Sequence, residues 1–96
     1  MQEADEVKEH VMELTVTLGS KSGLHARPTA IIVQNAKGFQ SKITLSKNDK
    51  TVNAKSILSV LTLGAEQGEQ VVLKAEGDDA ELALHKLASL LEEDLG

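Results

Sequence analysis

The spacing of apolar residues switches between a period of two and a period near 3.6 several times along this chain. That alternation limits the folds open to it. Met12, Leu14, Val16 and Leu18 alternate with Glu13, Thr15 and Thr17, the pattern of a strand with one buried face. After the loop "GSKSG" the period becomes helical from Ala26 to Lys37. One row of Ala26, Ala30 and Val33 and a second of Thr29, Ile32 and Ala36 merge into a single apolar stripe, with Gly38 as the stop. Ile43 and Leu45 mark a second strand, "KNDK" a turn, and Val52 a short third strand, together a hairpin. "KSILSVLTLG", 55–64, reads as a short helix with Ser56 at its N-cap and Gly64 at its end. Val71, Leu73 and Ala75 give a fourth strand. Asp78 and Glu81 have capping-box spacing at the start of a last helix, whose buried face is Ala83, Leu84, Leu87, Leu90 and Leu91.

The order β-α-β-β-α-β-α predicts an α+β fold. Four half-buried strands make a sheet with one apolar face, and three apolar helical stripes must cover it. The expected architecture is an open-faced β-sandwich: a four-stranded, mainly antiparallel sheet with three helices on one face and water on the other. With 96 residues there is room for one core, and with one Phe and no Trp or Tyr that core is aliphatic. Residues 1–10 stand apart as an acidic extension, expected to be disordered or a frayed helix, and the domain is expected over 11–96.

Composition closes several routes. The chain has no cysteine, so disulfides and thiolate metal sites are excluded. No apolar run approaches the ~20 residues of a membrane span, and the acidic N-terminus lacks the apolar core of a secretory signal. The formal charge is −5, of which residues 1–10 carry −3. Lysines and arginines are scattered, without interleaved aromatics, so no nucleic-acid footprint is present. Cytoplasmic residence is the expectation.

The chemistry concentrates in "SGLHARPTAIIV", 22–33. His25 falls where loop becomes helix. The first amides of a helix lack internal partners and lie at the positive end of its dipole, so an anion is stabilised there. The backbone at Ala26 and Arg27 supplies those amides, and the Arg27 guanidinium adds a permanent cation suited to phosphate oxygens. Pro28 fits a first turn, and Gly23 permits a tight turn or a close approach. An imidazole at a positive helix end is biased towards its neutral, nucleophilic form. The spacing thus describes a histidine able to accept a phosphoryl group reversibly. On these residues alone, an exposed turn histidine is the commoner outcome. The sequence shows no paired carboxylate beside His25 to activate water, and no Gly-rich nucleotide loop. His10 and His85 read as solvated surface, and neither H-x3-H nor HExxH occurs, so no metal site is expected. Ser56 reads as a helix cap, and Leu58 and Leu61 as core or contact residues.

"GLHARP" resembles the active-site signature of HPr, the histidine-containing phosphocarrier of the bacterial sugar phosphotransferase system. "KGF" (37–39), "VNAKSILSVLTLGAEQG" (52–68) and "AEGDDAE" (75–81) resemble further HPr segments in the same order, and the likeness covers about residues 12–94. The resemblance implies that His25 is phosphorylated at Nδ1 and that Arg27 assists transfer. Ser56 matches a regulatory serine that an HPr kinase/phosphorylase modifies in many Gram-positive members. Leu58 and Leu61 match positions gripped by enzyme I and the sugar-specific IIA proteins. It also implies the open-faced sandwich, a monomeric carrier rather than an enzyme in its own right, and no cofactor or metal. A regulatory module is the alternative, acting through Ser56 on a catabolite-control repressor or serving a nitrogen-linked phosphotransfer branch. Purely regulatory relatives lack the histidine, whereas this chain keeps His25 and Arg27. A small-molecule-sensing βαββαβ domain would need neither the His–Ala–Arg–Pro nor the last helix.

Overall fold

The structure is a computed structural model and describes residues 11–96; the acidic extension and His10 lie outside the described residues. Seven elements follow one another: β1 (Val11–Thr17), α1 (Ala26–Ala36), β2 (Lys42–Lys47), β3 (Lys50–Asn53), α2 (Ile57–Leu61), β4 (Gln70–Glu76) and α3 (Ala80–Glu92). The strands form one sheet in the order β1-β4-β2-β3, and every pairing is antiparallel. The expected open-faced sandwich is the observed fold.

Strand alternation sets the two faces of the sheet. Val16, Ile43, Leu45, Val52, Val71, Leu73 and Ala75 point into the core, while Thr15, Thr44, Thr51 and Lys74 point the other way. The helices cover the first face. α3 lies over β1 and β4, α2 beside β3, and α1 against both other helices. The β2–β3 hairpin turns through Asn48 and Asp49, with Asn48 at φ 55°, a conformation Asn tolerates.

Three readings of the elements need correction. Met12 and Leu14 share the core-facing side of β1 with Val16 but are exposed. β1 is an edge strand, and α3 runs diagonally across the sheet. Its first turn is tied to Ser41 beside β2, and its last turn to Gly19 beyond the end of β1, where the Gly19 amide donates to Leu91 O at 3.0 Å. The opening half of β1 is left uncovered. In α1 the buried face is Pro28, Thr29, Ile32, Val33 and Ala36, while Ala26 and Ala30 are exposed. The stripe leaves out the first two members of their row, because α1 packs against α2 and α3 through its Thr29, Ile32, Val33 and Ala36 side.

The third correction is at α3. The N-cap is Asp79, not Asp78, and its side chain makes no capping bond. Its carboxylate instead accepts from the amides of Gln40 (2.8 Å) and Ser41 (2.9 Å) and from the Ser41 hydroxyl. The position expected to serve the helix locally is used to tie α3 to the turn after α1. The buried face of α3 is otherwise as expected, with Leu90 half-buried at its margin and Ala80 added. Gly38 follows α1, but its φ is not positive. Successive tight bonds, Gly38 N to Asn35 O and Phe39 N to Ala36 O, end the helix there.

Candidate functional site

His25 is the N-cap of α1. Its backbone is extended (φ −84°, ψ −172°), its carbonyl accepts the first helical bond from Thr29 N at 3.0 Å, and its side chain caps nothing. The imidazole therefore points outward, 62% exposed, beside a helix entrance whose own cap residue leaves the first amides free. Arg27, two residues on, is exposed, with Gly96 beside its aliphatic stem. Pro28 is buried in the same turn, where no helix partner needs its missing amide hydrogen.

The loop carrying His25 is pinned from two sides. Gly23 has φ +65°, and a Cβ there would collide with Ala65 O and, at 2.7 Å, with the Glu66 Cα. Both uses foreseen for this glycine, turn and close approach, apply together. The next amide, Leu24 N, donates to Ala65 O at 2.9 Å, and the Leu24 side chain is buried in the core. On the other flank the chain after α3 crosses the loop. The Ser20 hydroxyl donates to Glu93 O and accepts from Leu95 N, the Ser22 hydroxyl donates to Gly96 O, and the Asp94 carboxylate accepts from Lys21 N. The Lys21 amide, with Gly96 N, holds the Asp94 carboxyl below the usual carboxylate range.

The loop over 62–69 brings in a residue that sequence spacing did not reveal. Glu66 Oε2 lies 3.7 Å from His25 Nε2. The local stretch offers no paired carboxylate, and the single one beside His25 arrives from 41 positions away, carried by the contact between Gly23 and residues 65–66. The pattern "GAEQG" with its flanking glycines marks a loop, but nothing in the spacing says which loop it meets. Glu69 shapes this segment by accepting from Glu66 N at 2.7 Å and pairing with Lys47 at 2.9 Å, and the Lys47 bond leads the contacts that lower its pKa.

Ser56 is the N-cap of α2, as expected, and its hydroxyl accepts from Ser59 N at 3.3 Å. Of the five helical residues only Val60 is buried. Leu58 (77% exposed) and Leu61 (36%) both face out, and Ile57 (42%) joins them, lining a shallow groove with Ala30, Val33, Gln34 and Lys37 of α1. The exposed leucine and isoleucine side chains form an apolar patch on one short helix. His85 is exposed on α3 and pairs with Glu81 one turn away at 4.0 Å, apart from the His25 site. Among the described residues, no three metal-ligating side chains converge, and no helix is long and apolar enough to cross a membrane.

The arrangement is an exposed imidazole at a helix entrance, with an arginine two residues on and a carboxylate 3.7 Å away. The chain as a whole resembles known proteins. The family described as "PTS HPr component phosphorylation site" matches residues 12–93. The HPr-like protein Crh of Bacillus subtilis is 41% identical over 88% of this chain and all of its own length. The phosphocarrier protein HPr of Xylella fastidiosa is 48% identical over 83% of this chain and 88% of its own. The crystal structure of HPr from Bacillus anthracis superposes with a TM-score of 0.82 at 41% identity, covering 84% of this chain and 96% of that one. Sequence pattern, sheet order and helix placement agree, and the chain belongs to the HPr family of the phosphotransferase system.

Proposed function

We propose that this chain is a cytoplasmic phosphocarrier that accepts a phosphoryl group on His25 from phosphorylated enzyme I and delivers it to sugar-specific IIA proteins. The observation that carries the reading is the outward-facing His25 imidazole at an N-cap it does not itself fill. In the first transfer the Nδ1 lone pair attacks phosphorus as the bond from phosphorus to the donor breaks. The free amides of the first α1 turn and the Arg27 guanidinium meet the phosphoryl oxygens, and no metal is required. The second transfer is the reverse displacement towards a IIA acceptor. An exposed ring suits both, because each partner must reach the same nitrogen. The chain turns nothing over alone. It carries the group between enzymes, and one domain, residues 11–96, suffices as a monomer.

Leu58, Leu61 and Ile57 form the apolar side of the docking surface in this reading. Ser56 stands beside them as a control point for an HPr kinase/phosphorylase. A second reading draws on the similarity to Crh: a regulatory module read by a catabolite-control repressor through the state of Ser56. The retained His25 and Arg27 favour the carrier. The test is to incubate the chain and His25→Ala with enzyme I and phosphoenolpyruvate. Stoichiometric, acid-labile phosphate on the parent and none on a folded variant is expected; equal labelling of both would contradict the assignment.

A further inference from the structure

We propose that Glu66 is a positioning residue for His25: its carboxylate holds the proton on Nε2, so that Nδ1 presents its lone pair to phosphorus. This rests on the phosphocarrier reading above and adds a residue to it. Three observations support it. Glu66 Oε2 lies 3.7 Å from His25 Nε2. The Glu66 backbone has little freedom to drift away. Its Cα is pressed against Gly23, Ala65 O accepts from Leu24 N, and its own amide is bonded to Glu69 Oε1 at 2.7 Å. Lys47 then fixes that loop from the sheet, bonding both Glu69 and Gly64 O (3.1 Å). Two segments far apart in sequence are thus locked together within three residues of the reacting ring.

The chemistry follows from what a carboxylate can do. It accepts hydrogen bonds and never donates, so once a small side-chain rotation closes the 3.7 Å gap it favours the tautomer protonated on Nε2. The same logic lets a buried carboxylate hold the histidine of a hydrolytic triad in its working tautomer. When the Nδ1 lone pair forms its bond to phosphorus, the bond from phosphorus to the donor breaks and the ring becomes a phosphoimidazolium, still carrying its Nε2 proton. Glu66 then faces a cation. When the N–P bond breaks towards the next acceptor, the electron pair returns to Nδ1 and a neutral imidazole leaves, so no proton is exchanged in either direction. The phosphoryl charge lies across the ring from Glu66, farther away than the Nε2 proton. The phosphoryl group carries about two negative charges against the one on the ring, so its repulsion offsets the nearer attraction, and Arg27 supplies the opposite charge on the helix side. Both side chains are about 60% exposed, so the effect is that of a surface pair, a factor of roughly two to five.

The experiment uses the whole chain with Glu66→Ala and Glu66→Gln. Nitrogen-15 NMR gives the ratio of the two neutral ring tautomers of His25, and steady-state labelling by enzyme I gives rate and half-saturation separately. Glu66→Ala should raise the Nδ1-protonated fraction and lower the maximal labelling rate about two- to five-fold with half-saturation unchanged. Glu66→Gln, which keeps an oxygen acceptor, should restore the tautomer ratio. An unaltered ratio and rate in Glu66→Ala would overturn the proposal, as would a loss confined to half-saturation, which would make Glu66 a docking residue. If the parent chain itself takes no phosphate, the carrier reading fails, and the tautomer ratio alone still decides the placement of Glu66.

Discussion

At the scale of single residues, the site divides into what local spacing can reveal and what only the folded chain supplies. His25, Arg27 and Gly23 are legible because helix entrances have a local grammar: a turn glycine, a cap, then a first turn with proline. Glu66 is not legible, since its partner lies 41 positions away and the contact depends on how two loops meet. Thr29 illustrates the opposite problem. It lies on the expected apolar stripe and is buried, but its hydroxyl has no hydrogen-bond partner. Burial of an unpaired hydroxyl costs free energy, so Thr29→Val, nearly the same shape, should stabilise the fold by about 1 kcal/mol, read as a raised denaturant midpoint. Arg27 is exposed and should matter to transfer rather than folding. Arg27→Ala is expected to slow phosphorylation of His25 at least about ten-fold, the loss of one preorganised cation at the phosphoryl oxygens. Its unfolding free energy should stay within ~0.5 kcal/mol of the parent. Rapid-quench labelling and a denaturation curve check the two halves of that statement.

At the scale of elements, all seven were legible because each has a distinct period, but their margins were not. The Asp78–Glu81 spacing suggested a local cap, whereas Asp79 bonds across 38 residues to Ser41, a competing use that no local pattern encodes. Met12 and Leu14 alternate as well as Val16 does, and only the diagonal course of α3 leaves them uncovered. α2 carries the Ser56 cap and, in the proposed function, the docking surface. Ser56 caps it, and Leu58 and Leu61 face outward two and five residues on. A phosphate on Ser56 would meet the positive end of α2, so the fold should accept it, while the added charge opposes docking onto the neighbouring leucines. Ser56→Asp is therefore expected to slow labelling by enzyme I roughly three- to ten-fold, the effect of one unfavourable charge at an interface rim. Its thermal midpoint should be unchanged. An unchanged rate with an unchanged midpoint would remove Ser56 as a control point on transfer.

At the scale of the whole molecule, the aliphatic core was legible from composition and alternation, but the ties that set the loops were not. Asp79 joins α3 to the turn before β2, Glu69 joins the 62–69 loop to β2, and Asp94 joins the end of the chain to the His25 loop. Each carboxyl is held below its ordinary range: Asp79 chiefly by the Ser41 hydroxyl, Glu69 by Lys47, Asp94 by the Lys21 amide. Groups depressed in the folded state stabilise it above their unfolded pKa, and that contribution is lost as pH falls through the folded one. Thermal stability should therefore be insensitive to these three groups near neutrality and decline below about pH 4. Asp79→Asn should show a shallower acid decline than the parent; an identical acid limb would contradict the role given to this tie.

In the proposed function, the whole fold serves to present one nitrogen of His25 to phosphorus. Phosphorus-31 NMR of the chain incubated with enzyme I and phosphoenolpyruvate, followed by peptide mapping, tests it most directly. A single acid-labile N-phosphohistidine signal that maps to His25 and discharges when a IIA acceptor is added is expected. A signal on His85, or a phosphate confined to Ser56 with His25 unmodified, would contradict it.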